Sequence, residues 1–245
     1  MKILLIDTCG ATGSIALAET ERSPALLASA CLPGRTASER LVATIKGLTA
    51  SNEISLQSLD VIAVVHGPGS FTGVRVGLSA AKGLCEALGL PLIAVSRLAV
   101  LASRAEPLHT AAPVYALLDA GRGEFYCGLY ADGLCRSEAL LSREEFLAEF
   151  NSAAAQLVVC EPSIAVALVA LAPQLVADPT VEDALPLVLR RLEQRAFDEV
   201  ATIDANYLRR TDAEIFAKPK PRSDASTSSV AISQATATLP ESVVR

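Results

Sequence analysis

The 245-residue chain has no tryptophan, two histidines (His66 and His109) and 4% aromatic residues. None of its apolar runs approaches the ~18 residues that a membrane-spanning helix needs. Each shortage excludes something. Lysine and arginine number 21 against 27 acidic residues, a net charge of −6, so the basic excess that grips phosphate backbones is missing. With few aromatics there is little to stack on single-stranded bases. The two histidines are far apart, and no HExxH or cysteine-histidine zinc pattern occurs, so a protein-built metal site is not expected. The six cysteines (Cys9, Cys31, Cys85, Cys127, Cys135, Cys160) include no CxxC and most sit among alanine, leucine and valine, which reads as small buried hydrophobes in a reducing compartment. No GxSxG or other nucleophile arrangement assembles. Met1-Lys2 running straight into a short apolar strand lacks a signal-peptide pattern, so a cytoplasmic protein with no membrane association is expected.

What the sequence does contain is a core and a rhythm. Hydrophobic residues make up 51% of the chain. Lys2–Ile6 reads as an apolar strand ending in Asp7, followed by a glycine-containing turn and a returning strand over 14–18. A third strand over 28–32 completes a meander. Thr36-x-x-Glu39 is a capping box, and Leu41, Ile45 and Leu48 share one face of the helix it opens, over 36–49. A buried strand (60–65), a glycine loop, a helix (74–88), a strand (91–95) and a helix (96–104) follow. Strands alternating with helices predict an α/β protein with mixed sheets flanked by helices.

After residue 105 the grammar restarts. Val114–Leu118 ends in Asp119, a glycine turn follows, and Phe125–Tyr130 returns, in the pattern of ILLIDT…GSIALAE. A helix over 142–150 with a Ser142-x-x-Glu145 box, a strand over 156–160 and helices near 164–171 and 183–197 continue the second copy. Residues 1–105 are thus read as one lobe, 106–199 as a second, and about 200–217 as packing back on the first. The Ser/Thr/Pro-rich residues 218–245 are expected to be a disordered tail.

Three features carry candidate chemistry. Asp7 and Asp119, the latter with Gly121, end equivalent strands. Such aspartates hold a magnesium-bound water in two-lobed ATP-binding folds, or simply cap turns. HGPGSFTGVRVG has the glycines for a tight strand-to-helix turn but is neither GxxxxGK[ST] nor GxGxxG. Behind it, Val74, Leu78, Ala81, Cys85 and Leu88 form an apolar stripe, and Gly73, Val76, Gly77, Ala80, Gly83 and Ala87 form a second stripe of small residues. That second face either packs inside the same lobe or admits a partner helix at close range.

With GPGSFTGVR, the opening ILLIDT, LLDAGRGEFY and the late NYLRR (Asn206–Arg210), residues 1–217 resemble the TsaB (YeaZ) family. The resemblance implies a two-lobed actin-like, sugar-kinase (ribonuclease H-like) fold. It implies a non-catalytic subunit that binds TsaD, the threonylcarbamoyltransferase acting on N6 of adenosine 37 in tRNA. TsaE would join the pair, tRNA would be contacted through the complex, and the isolated chain would form a homodimer. No cofactor is implied in this chain, although ATP or ADP at the complex interface is compatible with it. The metal would belong to TsaD, whose HxxxH pair corresponds here to about Arg97 and Leu101. Pairing is implied through the helices beginning near Thr36 and Val74. It involves Thr36 and Arg40 on the first helix, Gly69, Phe71, Thr72 and Gly73 at the glycine loop, and Val76, Gly77, Ala80, Gly83 and Ala87 along the second. An ATP-dependent small-molecule kinase is the alternative reading, and a co-chaperone or peptidase-like regulator without a tRNA link is a third.

Overall fold

An apolar run with no polar alternation is stable as a strand only where both of its faces are covered. β1 (Lys2–Asp7) is such a run, and Ile3, Leu4, Leu5 and Ile6 are at most 1% exposed at the centre of the first sheet. The computed structural model describes residues 1–23, 25–33, 37–105, 112–150 and 155–209. Thr36, the residues at the expected lobe boundary (106–111) and everything from 210 on, including the expected tail, lie outside them.

β1 pairs antiparallel with β2 (Gly13–Glu19) and parallel with β4 (Val61–Val65). With β3 (Leu26–Leu32) and β5 (Leu92–Val95) the order is β3-β2-β1-β4-β5. The second sheet repeats this order position for position. It comprises β6 (Val114–Gly121), β7 (Glu124–Ala131), β8 (Leu134–Ser142), β9 (Gln156–Val159) and β10 (Gln174–Leu175), arranged β10-β9-β6-β7-β8. This is the duplicated actin-like, sugar-kinase architecture. β8 has no counterpart in the sequence reading, because its first half is exposed and carries no apolar alternation.

Helices cover the sheets. α1 (Ala37–Ser51) and α2 (Phe71–Leu88) pack together on the first sheet. α2 starts three residues before the expected Val74 because Ser70 caps it, accepting from the Gly73 N–H at 3.3 Å. α4 (Arg143–Glu149) carries the expected Ser142–Glu145 capping box, and α5 (Pro162–Ala167) also packs on the second sheet. α6 (Val181–Glu193) corrects the expected lobe assignment of 106–199. Its Val181, Ala184, Leu185 and Val188 belong to the first core, packed on β1, β2 and β5. The doubly buried β1 needs cover on its second face, and α6 supplies it. The following segment stays there: the Ala94 N–H donates to Asp198, and the Asn206 N–H donates to the His66 carbonyl.

α3 (Arg97–Ser103) lies between the sheets, where Leu98 and Leu101 are fully buried against Ala116, Leu118, Tyr130 and Val158. Both sheets belong to one compact unit, Met1–Arg209. No helix among the described residues is long and apolar enough to cross a membrane.

Four of the few aromatics concentrate under the second sheet. Phe146, fully buried, meets Tyr115, Phe125 and Phe150 with ring centroids 5.9, 6.2 and 5.4 Å away. Phe146→Ala is expected to lower the unfolding free energy by about 3–5 kcal/mol, measured by urea titration. A loss below about 1 kcal/mol would contradict this packing.

Candidate functional site

Both central strands end in an aspartate that turns the chain. The Asp7 Oδ1 accepts the Cys9 N–H at 2.8 Å, and the Asp119 Oδ1 accepts the Gly121 N–H at 2.7 Å. These are the same Asx turn made twice. The two turns face each other across a cleft of about 800 Å³, lined by the Thr8–Gly13 loop, Gly69–Gly73, Val76, Arg97, Asp119–Gly121 and Tyr126. Asp119 and Gly121 are thus at the cleft surface, while Asp7, 3% exposed, lies behind it.

The glycine loop is shaped by what it rests on. A Cβ on Gly69 would run into the Cys9 carbonyl, one on Gly73 into the Thr8 carbonyl, and one on Gly77 into the Thr8 hydroxyl. The contact is closed by Ser70 N–H donating to the Cys9 carbonyl at 2.9 Å and the Thr8 hydroxyl donating to the Gly73 carbonyl at 2.6 Å. The small-residue stripe therefore divides. Gly73 and Gly77 serve internal packing, and Gly77 is buried, which removes it from any surface a partner could touch. Val76 and Ala80 are half-buried beside α1, while Gly83 and Ala87 are exposed. A Cβ on Gly83 would meet open space.

Between α1 and α2 lies an apolar hollow of about 260 Å³, lined by Val42, Ile45, Lys46, Leu56, Ala80, Gly83 and Leu84. Val42 is 57% exposed and Arg40 is also exposed. At the start of α2, Thr72 is exposed and Phe71 is 50% exposed. The Arg75 guanidinium lies 3.6 Å over the Phe71 ring, and Arg75 Nε donates to the Tyr207 hydroxyl at 2.6 Å. Val42, Arg75 and Tyr207 are not among the expected interface residues, although GPGSFTGVR ends in Arg75. NYLRR signalled the last of these, but an exposed valine on a helix carries no signal of its own.

The charged centre of the cleft is Arg97, 7% exposed, with Nη2 donating to Asp178 at 2.5 Å. Burial raises the Asp7 carboxyl above its ordinary 3.8, Asp178 adds to the rise, and Arg97 and the Cys9 N–H oppose it. Burial and Asp7 push the Cys9 thiol well up, and burial takes Cys85 to about 11 and Cys127 to about 12. Three cysteines are buried as expected, but Cys31 and Cys135 are exposed, and Cys160 is intermediate. Among the described residues, no group of three or more His, Cys, Asp or Glu could hold a metal ion. Leu101, one helical turn from Arg97, points into the core instead of the cleft.

The fold recurs in solved structures. YeaZ from Pseudomonas aeruginosa is 32% identical to this chain, with a TM-score of 0.69, and the match covers 84% of this chain and 99% of that one. The chain belongs to the YeaZ (TsaB) family. A second Pseudomonas aeruginosa structure, of an uncharacterized protein with similarity to peptidase YEAZ, matches at TM-score 0.70 and 32% identity over 85% of this chain and 99% of that one. The tRNA threonylcarbamoyladenosine biosynthesis protein TsaB of Haemophilus influenzae is 41% identical over 39% of this chain and 40% of its own. That of Escherichia coli is 35% identical over 53% of this chain and 55% of its own. The chain thus matches about half the length of these curated relatives. Residues 32–147 also match the family model of TsaD, tRNA N6-adenosine threonylcarbamoyltransferase.

Because burial raises the Asp7 carboxyl, its ionisation in the folded state costs stability, a cost absent below pH 3.8 and complete above the folded pKa. Asp7→Asn should therefore show a smaller loss of Tm than the parent between about pH 4 and pH 7. Parallel Tm profiles for the two proteins would contradict the assignment.

Proposed function

We propose that this chain is the non-catalytic subunit that binds TsaD and supports threonylcarbamoyl transfer to N6 of adenosine 37 in tRNA. Family membership supports the pathway. The observation that carries the role is the α1–α2 face. It has an apolar hollow, an exposed Val42, and a glycine at 83 that internal packing does not require. An exposed apolar patch of this kind on two adjacent helices is the usual anatomy of a protein interface. Thr72, Arg40 and Ala87 extend it, with the Phe71–Arg75 stack at one end. Aromatic and arginine anchors of that type dominate binding energy where partners exclude water around them.

The chemistry of the cleft supports the same reading. Arg97 and Leu101 stand where the TsaD-type histidine pair is expected, and burial pushes the Cys9 thiol in the cleft well above its ordinary range. The chain would act by stabilising the TsaD conformer it fits. TsaE would join this pair, and tRNA would be held by the complex, in keeping with a net charge of −6. The same face would support a homodimer in the absence of TsaD, and the setting is the cytoplasm. The kinase alternative asks Asp7, which is 3% exposed and lies behind the cleft surface, to serve magnesium-ATP.

Val76→Glu with Ala80→Glu places two charges in the centre of this face. The double variant should lose TsaD at least tenfold in calorimetric titration, with an unchanged fold by circular dichroism. TsaD binding equal to the parent's would overturn the proposed surface.

A further inference from the structure

Residues 203–209 belong to neither helix nor strand, so no ladder holds them and other elements must supply their anchors. The anchors come from both halves of the fold. In the first, Lys82 Nζ donates to the Ile203 carbonyl at 2.9 Å, His66 Nδ1 to the Asp204 carbonyl at 3.1 Å, and the Asn206 N–H to the His66 carbonyl at 2.8 Å. In the second, Arg209 Nη2 donates to the Ala120 carbonyl at 2.9 Å and pairs with Glu124 at 2.6 Å. Asn206 joins the two. Its Nδ2 donates to Glu138 Oε2, on β8, at 2.5 Å, and lies 3.5 Å from the Oγ of Ser96, the cap of α3.

Glu138 is itself built into place. It pairs across the sheet with Gly128, where a Cβ would lie 2.7 Å from Tyr130 Cε2. The missing side chain lets the Tyr130 ring lie over that position, 8% exposed, and its hydroxyl donates to Glu138 Oε1. Both carboxylate oxygens are thus engaged, one by β7 and one by Asn206, in charge-assisted hydrogen bonds.

What Asn206 fixes, Tyr207 inherits. The Tyr207 N–H donates back to the Ala205 carbonyl at 2.8 Å, a three-residue turn with Asn206 at its apex. Tyr207 leaves that turn on the outside, 40% exposed. Its ring meets that of Phe71 with centroids 5.6 Å apart, and its hydroxyl accepts from Arg75 Nε at 2.6 Å.

We propose that residues 203–209 are a strap through which Glu138, on the second sheet, holds the Phe71–Arg75–Tyr207 stack at the start of α2. Glu138 and Asn206 are positioning residues, and Tyr207 is the group they set. The consequence for TsaD rests on the α1–α2 face being the partner surface, whereas the strap itself is read in the free chain.

The test labels the full chain with 3-fluorotyrosine and assigns the Tyr207 fluorine resonance by its loss in Tyr207→Phe. Glu138→Leu should move this resonance in the free chain towards that of free fluorotyrosine. Glu138→Gln, which keeps an acceptor oxygen for Asn206, should leave it in place. TsaD affinity, measured by calorimetry, should fall about threefold or more in Glu138→Leu, and this loss should vanish where Tyr207→Ala is already present. If Glu138→Leu does not fold, Asn206→Ala takes its place with the same expectations. An unmoved Tyr207 resonance would overturn the strap. So would an equal loss of affinity in the Tyr207→Ala background, the result that a merely structural role for Glu138 gives. A moved resonance with unchanged TsaD affinity would support the strap and count against the stack as part of the TsaD surface.

Discussion

The constraint on which the rest depends is the approach of the first turns of α2 to the end of β1. At Gly69, Gly73 and Gly77 there is no room for a side chain between the helix and Thr8–Cys9. Three consequences follow from that one contact. It sets the wall of the cleft, because Gly69–Gly73 and the Thr8–Gly13 loop become neighbours. It fixes the direction of α2, so that Val74, Leu78, Ala81 and Cys85 enter the core. It also leaves the opposite edge of the helix, through Val76, Ala80, Gly83 and Ala87, beside α1 and towards solvent. The inner glycines make the fold, and the outer small residues are available for a partner.

Much of this was legible in the sequence. Strand, aspartate, glycine turn and return strand can be read twice, and the structure repeats the five-strand order twice. The two Asx turns were also foreseeable, since a strand-terminal aspartate followed by a polar turn has few other things to do. What could not be read depends on tertiary contact. β8 is half exposed and lacks alternation, so its pairing with β7 comes from the hairpin at Asp132–Gly133 and not from its own pattern. α6 looks like part of the second half because it follows it in the chain, yet it covers the first sheet. The stripe of small residues on α2 is one pattern in the sequence and two in space, because a glycine wanted by a neighbour inside and one free to meet a neighbour outside look alike. Arg97 was identified by its relation to a histidine pair, but its burial and its ion pair with Asp178 are facts of packing alone.

Charge and chemistry point the same way. Burial pushes the Cys9 thiol well up and lifts Asp7, and Arg97 is held in the cleft by Asp178. The apolar face on α1 and α2 joins a hollow to an exposed Val42. The proposed role, a subunit that shapes another enzyme's active site, calls for a frame and a docking face.

The most direct test is a reconstituted reaction in which tRNA, threonylcarbamoyl adenylate, TsaE and ATP are incubated with this chain alone, TsaD alone, or both, and adenosine modification is read by nucleoside analysis. The account predicts no modified adenosine with this chain alone and sustained formation when both proteins are present. Threonylcarbamoyl transfer by this chain without TsaD would contradict it, as would a TsaD reaction indifferent to its presence.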